Sequence, residues 1–305
     1  MSVQASRATE TTAVAAWPHA RTRQLVSDYL ALTKPRVQSL LLLTTISTMY
    51  VAGDPSLGLV ALTCLGGALS AGGAGAVNHW FDRDIDARMA RTADRPVPSG
   101  RVAPTSALLY GLVLQLLSFL LLSLTVNLLS AVLALAGFLG YVLVYTAWLK
   151  RSTPQNIVIG GAAGAVPPLV GWSAVTGSLD STAFYLFAIV FYWTPPHFWA
   201  LSLLMKDEYA RVGIPMMPVV RGEVETRRQI LLYTVLLAVL TLLPVLFGFF
   251  GMIYATVAGV LGIVFIAYAV RLQRLGDRRS ALRTYLYSLA HLALLFIAMV
   301  VDVRL

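Results

Sequence analysis

The sequence predicts an all-α polytopic membrane protein, with about nine transmembrane helices bundled around a cavity that opens near the cytoplasmic side. Three observations predict it. The 305 residues are 58% hydrophobic and only 12% charged, where soluble domains carry roughly 25% charged residues. Apolar runs of about 17 to 25 residues, each able to cross a hydrocarbon core of roughly 30 Å as a helix, recur nine times. The basic residues fall in alternate connections between those runs.

In chain order the expected spans are Val37–Val51, Leu57–Val77, Ser106–Leu124, Leu128–Trp148, Ile157–Val175, Thr182–Leu204, Ile230–Phe249, Met252–Val270 and Thr284–Val301. Lys and Arg accumulate on the cytoplasmic side of membrane segments. The chain before the first span carries Arg7, Arg21, Arg23, Lys34 and Arg36, and the connection after the second carries Arg83, Arg88, Arg91, Arg95 and Arg101. Lys150 and Arg151 follow the fourth span. Lys206, Arg211, Arg221, Arg227 and Arg228 follow the sixth, and Arg271, Arg274, Arg278, Arg279 and Arg283 the eighth. Of the 23 basic residues only Arg304 falls elsewhere, and the intervening connections hold Asp54 and Asp180 instead. The N-terminus is therefore expected in the cytoplasm, and the C-terminus on the other side of a cell membrane. Adding or removing one helix would scramble this alternation. It also accounts for the net charge of +9, so the basic balance does not point to nucleic acid.

Residues 1–27 read as a cytoplasmic tail and 28–305 as the membrane domain. The opening "MSVQASRATETTAVAAWPHARTRQ" lacks the apolar core of a secretory signal, and its Ser/Thr/Ala bias reads as disorder or, alternatively, as a transit peptide. Cys64, alone inside an apolar span, offers neither a disulfide framework nor a metal cluster and reads as a packed residue.

The connections after the second and sixth spans are the long ones, and long loops tend to carry function. Each opens on carboxylates: Asp82, Asp84 and Asp86 in the first, Asp207 and Glu208 in the second. That suggests a weak two-fold repeat delivering acidic groups to one mouth. If the second span stays helical, Asn78, Asp82 and Asp86 fall within an arc of roughly 80°, while Asp84 points away. Such a stripe suits a hard divalent cation such as Mg2+, which keeps waters and bridges to phosphate oxygens. The plainer reading is a solvated helix end paired with Arg83 and Arg88, which leaves the amide of Asn78 without a purpose. Arg88, Arg91 and Arg95 follow, and arginine forks match phosphate oxygens.

With that motif in place the chain resembles the UbiA superfamily of intramembrane prenyltransferases, whose first motif is Asn-x3-Asp-x3-Asp. The stretches "YLALTKPRV", "NHWFDRDIDARMART", "KRSTPQNIVIGGAAGAVPPLVGW" and "YWTPPHFWALSLLMKDEYARVGIPMMPVV" narrow the resemblance to its haem-farnesylating branch, from about Asp28 to the C-terminus. The resemblance implies a reaction in which the farnesyl group of farnesyl diphosphate joins a vinyl group of haem b, water adds and diphosphate leaves, giving haem O. It implies haem b as substrate rather than cofactor, and haem A synthase or a terminal oxidase assembly as partners.

Allylic diphosphates ionise when charge on the leaving group is neutralised, so a metal and a cation clamp are the central device. On this reading Asn78, Asp82 and Asp86 hold the metal and join Asp207 in the catalytic set, with Arg91, Arg95, Lys150 and Arg151 on the diphosphate. The superfamily's second motif, two Asp four apart ahead of a G-I-x-x-x-P-V run, is broken here. Its slots hold Met205 and Tyr209, leaving Asp207 and Glu208, so Asp207 acts alone or through Lys206 and Arg211.

In the sixth span Pro195 and Pro196 interrupt the helix ladder, and His197 follows. An ionisable residue within a span is a functional candidate, as a haem-iron ligand or proton carrier; the alternative is a bond to a neighbouring helix. The resemblance favours a substrate role. His79 reads as an interface residue, His291 as packing, and His19 lies in the tail. Aromatic faces stabilise a developing carbocation, and Tyr145 and Trp193 are the candidates for the haem side. The Gly-rich "VIGGAAGAVPPLVGW" serves close helix packing or room for a flat macrocycle. Two other readings stay open: a UbiA-type prenyltransferase of a quinone or chlorophyll precursor, and a transporter with Asp ion relays, which needs carboxylates near mid-membrane.

Overall fold

The structure, a computed structural model, describes residues 17–305, with side chains from 22 onward. Its regular elements are all helical. They are α1 (Trp17–Leu32), α2 (Pro35–Ala52), α3 (Leu57–Phe81), the short α4 (Arg83–Asp86), α5 (Pro104–Thr125), α6 (Leu128–Ser152) and α7 (Asn156–Thr176). Then come α8 (Ser181–Leu204), the short α9 (Lys206–Arg211) and α10 (Met217–Val220), α11 (Gly222–Leu246), α12 (Met252–Leu275) and α13 (Arg278–Arg304).

All nine expected spans are helical, but seven helices among the described residues, α3, α5, α6, α7, α11, α12 and α13, are long and apolar enough to cross a membrane. α2 is diluted by Arg36, Gln38 and several Ser and Thr, and α8 by Thr194, Pro195, Pro196 and His197. Several helices outrun their apolar stretches. α11 and α13 start at Gly222 and Arg278, ahead of the expected Ile230 and Thr284, because polar residues at the membrane edge continue the helix. Asp277 caps α13 by accepting from Ser280 N at 2.6 Å, satisfying one of the orphan N–H groups of a helix start. Of the expected tail, residues 1–16 and the transit-peptide reading lie outside the described residues. From Trp17 the chain is helical, ahead of the expected boundary at 28.

α7 packs against α2, α6 and α8, while α3 pairs with α5. α8 lies against α11 and α13, α12 joins those two, and α13 on α2 closes the bundle. Aromatic and aliphatic side chains of α8, α11, α12 and α13 fill the larger core, including Trp193, Leu237, Tyr254, Phe265 and Phe296. Leu109, Leu116, Leu117 and Leu120 of α5 point outward, as a lipid-facing surface requires. Many polar side chains turn inward to partners, as Ser70 Oγ does on Gln115 Oε1 at 2.8 Å, because hydrocarbon offers none.

One departure from regular geometry positions the site. Gly140–Leu149, within α6, winds as a π-helix. Tyr141 and Lys150 are nine positions apart, which at about 100° per residue puts them on opposite faces of an α-helix. The wider i→i+5 winding brings both, with Tyr145, onto one cavity. Such segments are frequent at functional sites.

Candidate active site

α3 ends at Phe81, and Asp82 at its cap leaves helical geometry with φ −89° and ψ 4°. The four-residue step survives the break: Asp82 N donates to Asn78 O at 2.9 Å and Asp86 N to Asp82 O at 2.7 Å. Asn78, Asp82 and Asp86 therefore remain one stripe, only 2%, 1% and 3% exposed. Asp84 faces away, as its phase predicts, and Arg151 holds it with a fork at 2.7 and 2.9 Å. That fork keeps the Asp84 carboxyl below the usual carboxylate range.

The stripe lines a cavity of about 130 Å³ together with Lys34, Arg91, Arg95, Lys150, Tyr141, Tyr145 and Tyr209. Lys150 Nζ meets Asp82 Oδ2 at 2.5 Å and Arg95 Nη1 meets Asp86 Oδ2 at 2.7 Å. Lys34 Nζ donates to Asn78 Oδ1 at 2.5 Å, and Asn78 Nδ2 donates to Asp82 Oδ2 at 2.7 Å and Thr146 Oγ1 at 3.2 Å. Arg91 makes no hydrogen bond or ion pair among the described residues. Four basic side chains thus face two carboxylates, an excess that favours a polyanion.

Lys34 was legible in the sequence only as a charge that sets topology. It stands between α1 and α2 with φ 53°, the one non-glycine residue with positive φ among the described residues. Strain of this kind costs on the order of 1–3 kcal/mol and concentrates at functional sites. Desolvation of its amine, then the charges of Arg95 and Lys150, lower its pKa to about 7 against the opposing pull of Asp82 and Asp86. The available signal was Lys before Pro35, because a residue preceding proline avoids the right-handed helical region. Tyr141 and Thr146 were likewise not singled out, since their convergence depends on the π-helical winding.

The residues fit a divalent cation of a particular kind. No three His, Cys, Asp or Glu side chains converge among the described residues, so the protein offers no complete cage. Two carboxylates and an amide do suit Mg2+, which retains waters and takes phosphate oxygens as further ligands. Asp82 Oδ1 is buried without a hydrogen-bond donor, and Arg151 Nη2, at 3.9 Å, is too far to serve. A desolvated, unanswered carboxylate oxygen costs at least about 1–3 kcal/mol; a cation removes that cost.

Other expected residues fall elsewhere. Arg151, expected on phosphate, spends its guanidinium on Asp84 and on Phe81 O at 2.8 Å, and does not line the cavity. Asp207 is exposed on α9, and Tyr209, two residues on, lines the cavity in its place. Positions two apart on a helix point to different sides, so a carboxylate between the two motif slots cannot substitute for either. The two-fold repeat consequently does not extend to the chemistry. Tyr145 does reach the cavity, and its ring lies against Gly160, where a Cβ would come within 2.4 Å of Cδ2. Close packing therefore explains that part of the Gly-rich run.

His197 and Trp193 stack at 4.3 Å in a separate aromatic layer with Tyr285, facing α13. Trp193 Nε1 donates to Ser288 O at 2.8 Å, and His197 Nδ1 meets Ser288 Oγ at 2.7 Å. Ser288 Oγ already donates to Tyr285 O at 2.6 Å. The network therefore assigns the proton to Nδ1 and leaves Nε2 with its lone pair. His79, expected at the interface, is buried with Nδ1 unpartnered, and Cys64 is only partly buried.

A helical membrane bundle with a cation-lined cavity at one helix end points to a class, which the comparisons name. Residues 40–299 match the UbiA prenyltransferase family, and the chain belongs to it. It is 55% identical over 280 residues to a protein of Roseiflexus castenholzii named protoheme IX farnesyltransferase, covering 91% of this chain but about half, 52%, of that relative. A Symbiobacterium thermophilum protein of the same name is 55% identical over 92% of this chain and 95% of its own length. In three dimensions the chain is similar to a UbiA homolog from Archaeoglobus fulgidus bound to GPP and Mg2+, with a TM-score of 0.67 at 18% identity, covering 89% of this chain and 99% of that one. With the family shown, and with Asp82 and Asp86 at a helix end, the transporter reading is withdrawn.

Proposed function

We propose that this chain transfers the farnesyl group of farnesyl diphosphate to a vinyl group of haem b, with addition of water, giving haem O and diphosphate. The observation that carries the reading is the cavity where four cations surround the Asn78, Asp82 and Asp86 stripe; the names of relatives at 55% identity supply the substrates. Asn78, Asp82 and Asp86 would hold a divalent cation, Mg2+ by analogy with the Archaeoglobus homolog, which when bound neutralises charge developing on the leaving diphosphate.

The chain's own residues supply the remaining work. Arg91 is free to meet the incoming diphosphate, and Arg95, Lys150 and Lys34 exchange protein oxygens for phosphate oxygens. The bond between farnesyl C1 and oxygen breaks with its electron pair leaving on diphosphate. The vinyl group's terminal carbon then attacks the allylic cation. The new cation beside the macrocycle takes water and releases a proton, leaving a hydroxyl. Tyr141 and Tyr145 present π faces to the developing positive charge. His197, through Nε2, and Trp193 stand on the haem side.

The alternation of basic loops supports a cell-membrane location with the N-terminus in the cytoplasm. The product suits haem A synthase or the assembly of a terminal oxidase as partner. The test is to incubate membranes holding the chain with haem b, farnesyl diphosphate and Mg2+, and to seek the hydroxyethylfarnesyl product by mass spectrometry. Folded protein that yields none, or that prenylates an aromatic acid and ignores haem, overturns the reading in favour of the quinone-type alternative.

A further inference from the structure

A second cavity, of about 180 Å³, lies where α8 and α12 end and α11 and α13 begin, on the same side of the bundle as the first. Its polar lining is Glu223, Arg227, Asp277 and Arg278, and its apolar lining includes Leu203 and Leu272. The two carboxylates are already engaged. Glu223 takes Lys206 Nζ at 2.9 Å, and Asp277 Oδ1 caps α13 on Ser280 N at 2.6 Å. Arg278 Nη1 donates to Leu204 O at 3.2 Å. Arg227 is different: it makes no ion pair or hydrogen bond among the described residues, and its Nε is fully enclosed without a partner.

The backbone makes room for that guanidinium. Gly276 ends α12 with φ +64°, closing it through its N–H to Leu272 O at 3.0 Å. A Cβ there would lie 1.8 Å from Arg227 Nη1 and 2.7 Å from Cζ. Any other residue at 276 would both strain the turn and expel the guanidinium. A half-buried arginine with an enclosed, unanswered N–H lacks an acceptor, and leaving such a donor unmet is unfavourable. The fork matches a phosphate group, and Arg271 and Arg274 near the end of α12 with Arg279 and Arg283 near the start of α13 add a positive field that draws anions to this end.

We infer that this cavity is a second anion site, binding one phosphate group through Arg227 and Arg278, with Leu203 and Leu272 beside whatever the phosphate carries. The site is separate from the farnesyl-transfer cavity and does not rest on that reaction. A phospholipid headgroup and a soluble phosphate present the same chemistry here, and the test separates them.

Full-length chain is placed in phosphatidylcholine nanodiscs with or without phosphatidylglycerol, and retained lipid is counted by native mass spectrometry. In parallel, thermal unfolding is followed while inorganic phosphate is titrated. Because the first cavity also attracts phosphate, the wild type is compared with Arg227→Gln. We expect the variant to bind about tenfold more weakly, as loss of a charged hydrogen bond implies. A difference seen with phosphatidylglycerol alone identifies a lipid headgroup; one seen also with inorganic phosphate identifies a soluble ligand. Equal binding by both proteins, or none by the wild type, overturns the proposal. Should Arg227→Gln not fold, Arg227→Lys keeps the charge without the planar fork and must weaken binding too; unchanged binding by that variant is equally fatal.

Discussion

The two ends of the bundle treat charge in opposite ways. At the end distant from the cavity, Asp302 accepts from Gly251 N at 2.6 Å and Tyr254 N at 3.0 Å, capping α12. Arg304, the basic residue outside the alternating pattern, pairs with Asp54 and donates to Tyr50 O and Gly53 O. Carboxylates outnumber the single base there, and Asp180, Asp302 and Arg304 all cap or tie helix ends. At the cavity end cations outnumber carboxylates, one residue sits at a strained φ, and Asp82 Oδ1 is buried without a donor. Replacing a buried ion pair with apolar groups is often neutral or stabilising by about 1–4 kcal/mol, so Lys150–Asp82 is not explained by stability. One end spends its charges on the fold, whereas the other leaves Arg91 and Asp82 Oδ1 without a partner among the described residues.

The sharpest way to break this contrast is Asp82→Ala. It is expected to lower product formation by at least about 10²–10³-fold, the scale seen when electrostatic stabilisation of a transition state is lost, while the protein stays folded and still binds haem. Turnover within tenfold of wild type would mean that the stripe is structural after all. Next in size is Lys34→Met, expected to raise KM for farnesyl diphosphate by about 10–100-fold through loss of a charged contact, with the melting temperature held. An unchanged KM would return Lys34 to a purely topological role. The smallest effect belongs to the opposite end. Asp302→Ala should cost about 1–2 kcal/mol of stability, as lost caps do, seen as a lower melting temperature with KM and kcat unchanged. If KM rose as in Lys34→Met, the two ends would not be independent.

Much of the fold was readable because its signals are local. Apolar runs located every helix of 18 residues or more but not α1, and the phase of Asn78, Asp82, Asp84 and Asp86 correctly separated three inward side chains from one outward one. Where residues sit apart from their expected setting, contacts distant in sequence are the reason. Arg151 looked like a phosphate ligand by topology, but Asp84 lies within reach of its fork. Asp207 looked like a surviving acidic partner, but the phase of α9 presents Tyr209. α2 and α8, also expected as spans, are helical, and their polar residues keep them outside the seven that qualify by length and composition.

The amino-acid order, then, settled what depends on neighbours along the chain: helix positions, the acidic stripe and the charge asymmetry between loops. Packing decided what depends on residues far apart in number. Lys34 meets Asn78 and Lys150 meets Asp82 because the start of α2, the end of α3 and a π-wound α6 converge, and Arg227 meets Gly276 because α11 docks on the end of α12. Helical phase is a property of a few successive residues and shows in their spacing. Which cation reaches which oxygen depends on how helices cross and where their winding changes, and only the assembled bundle holds that information.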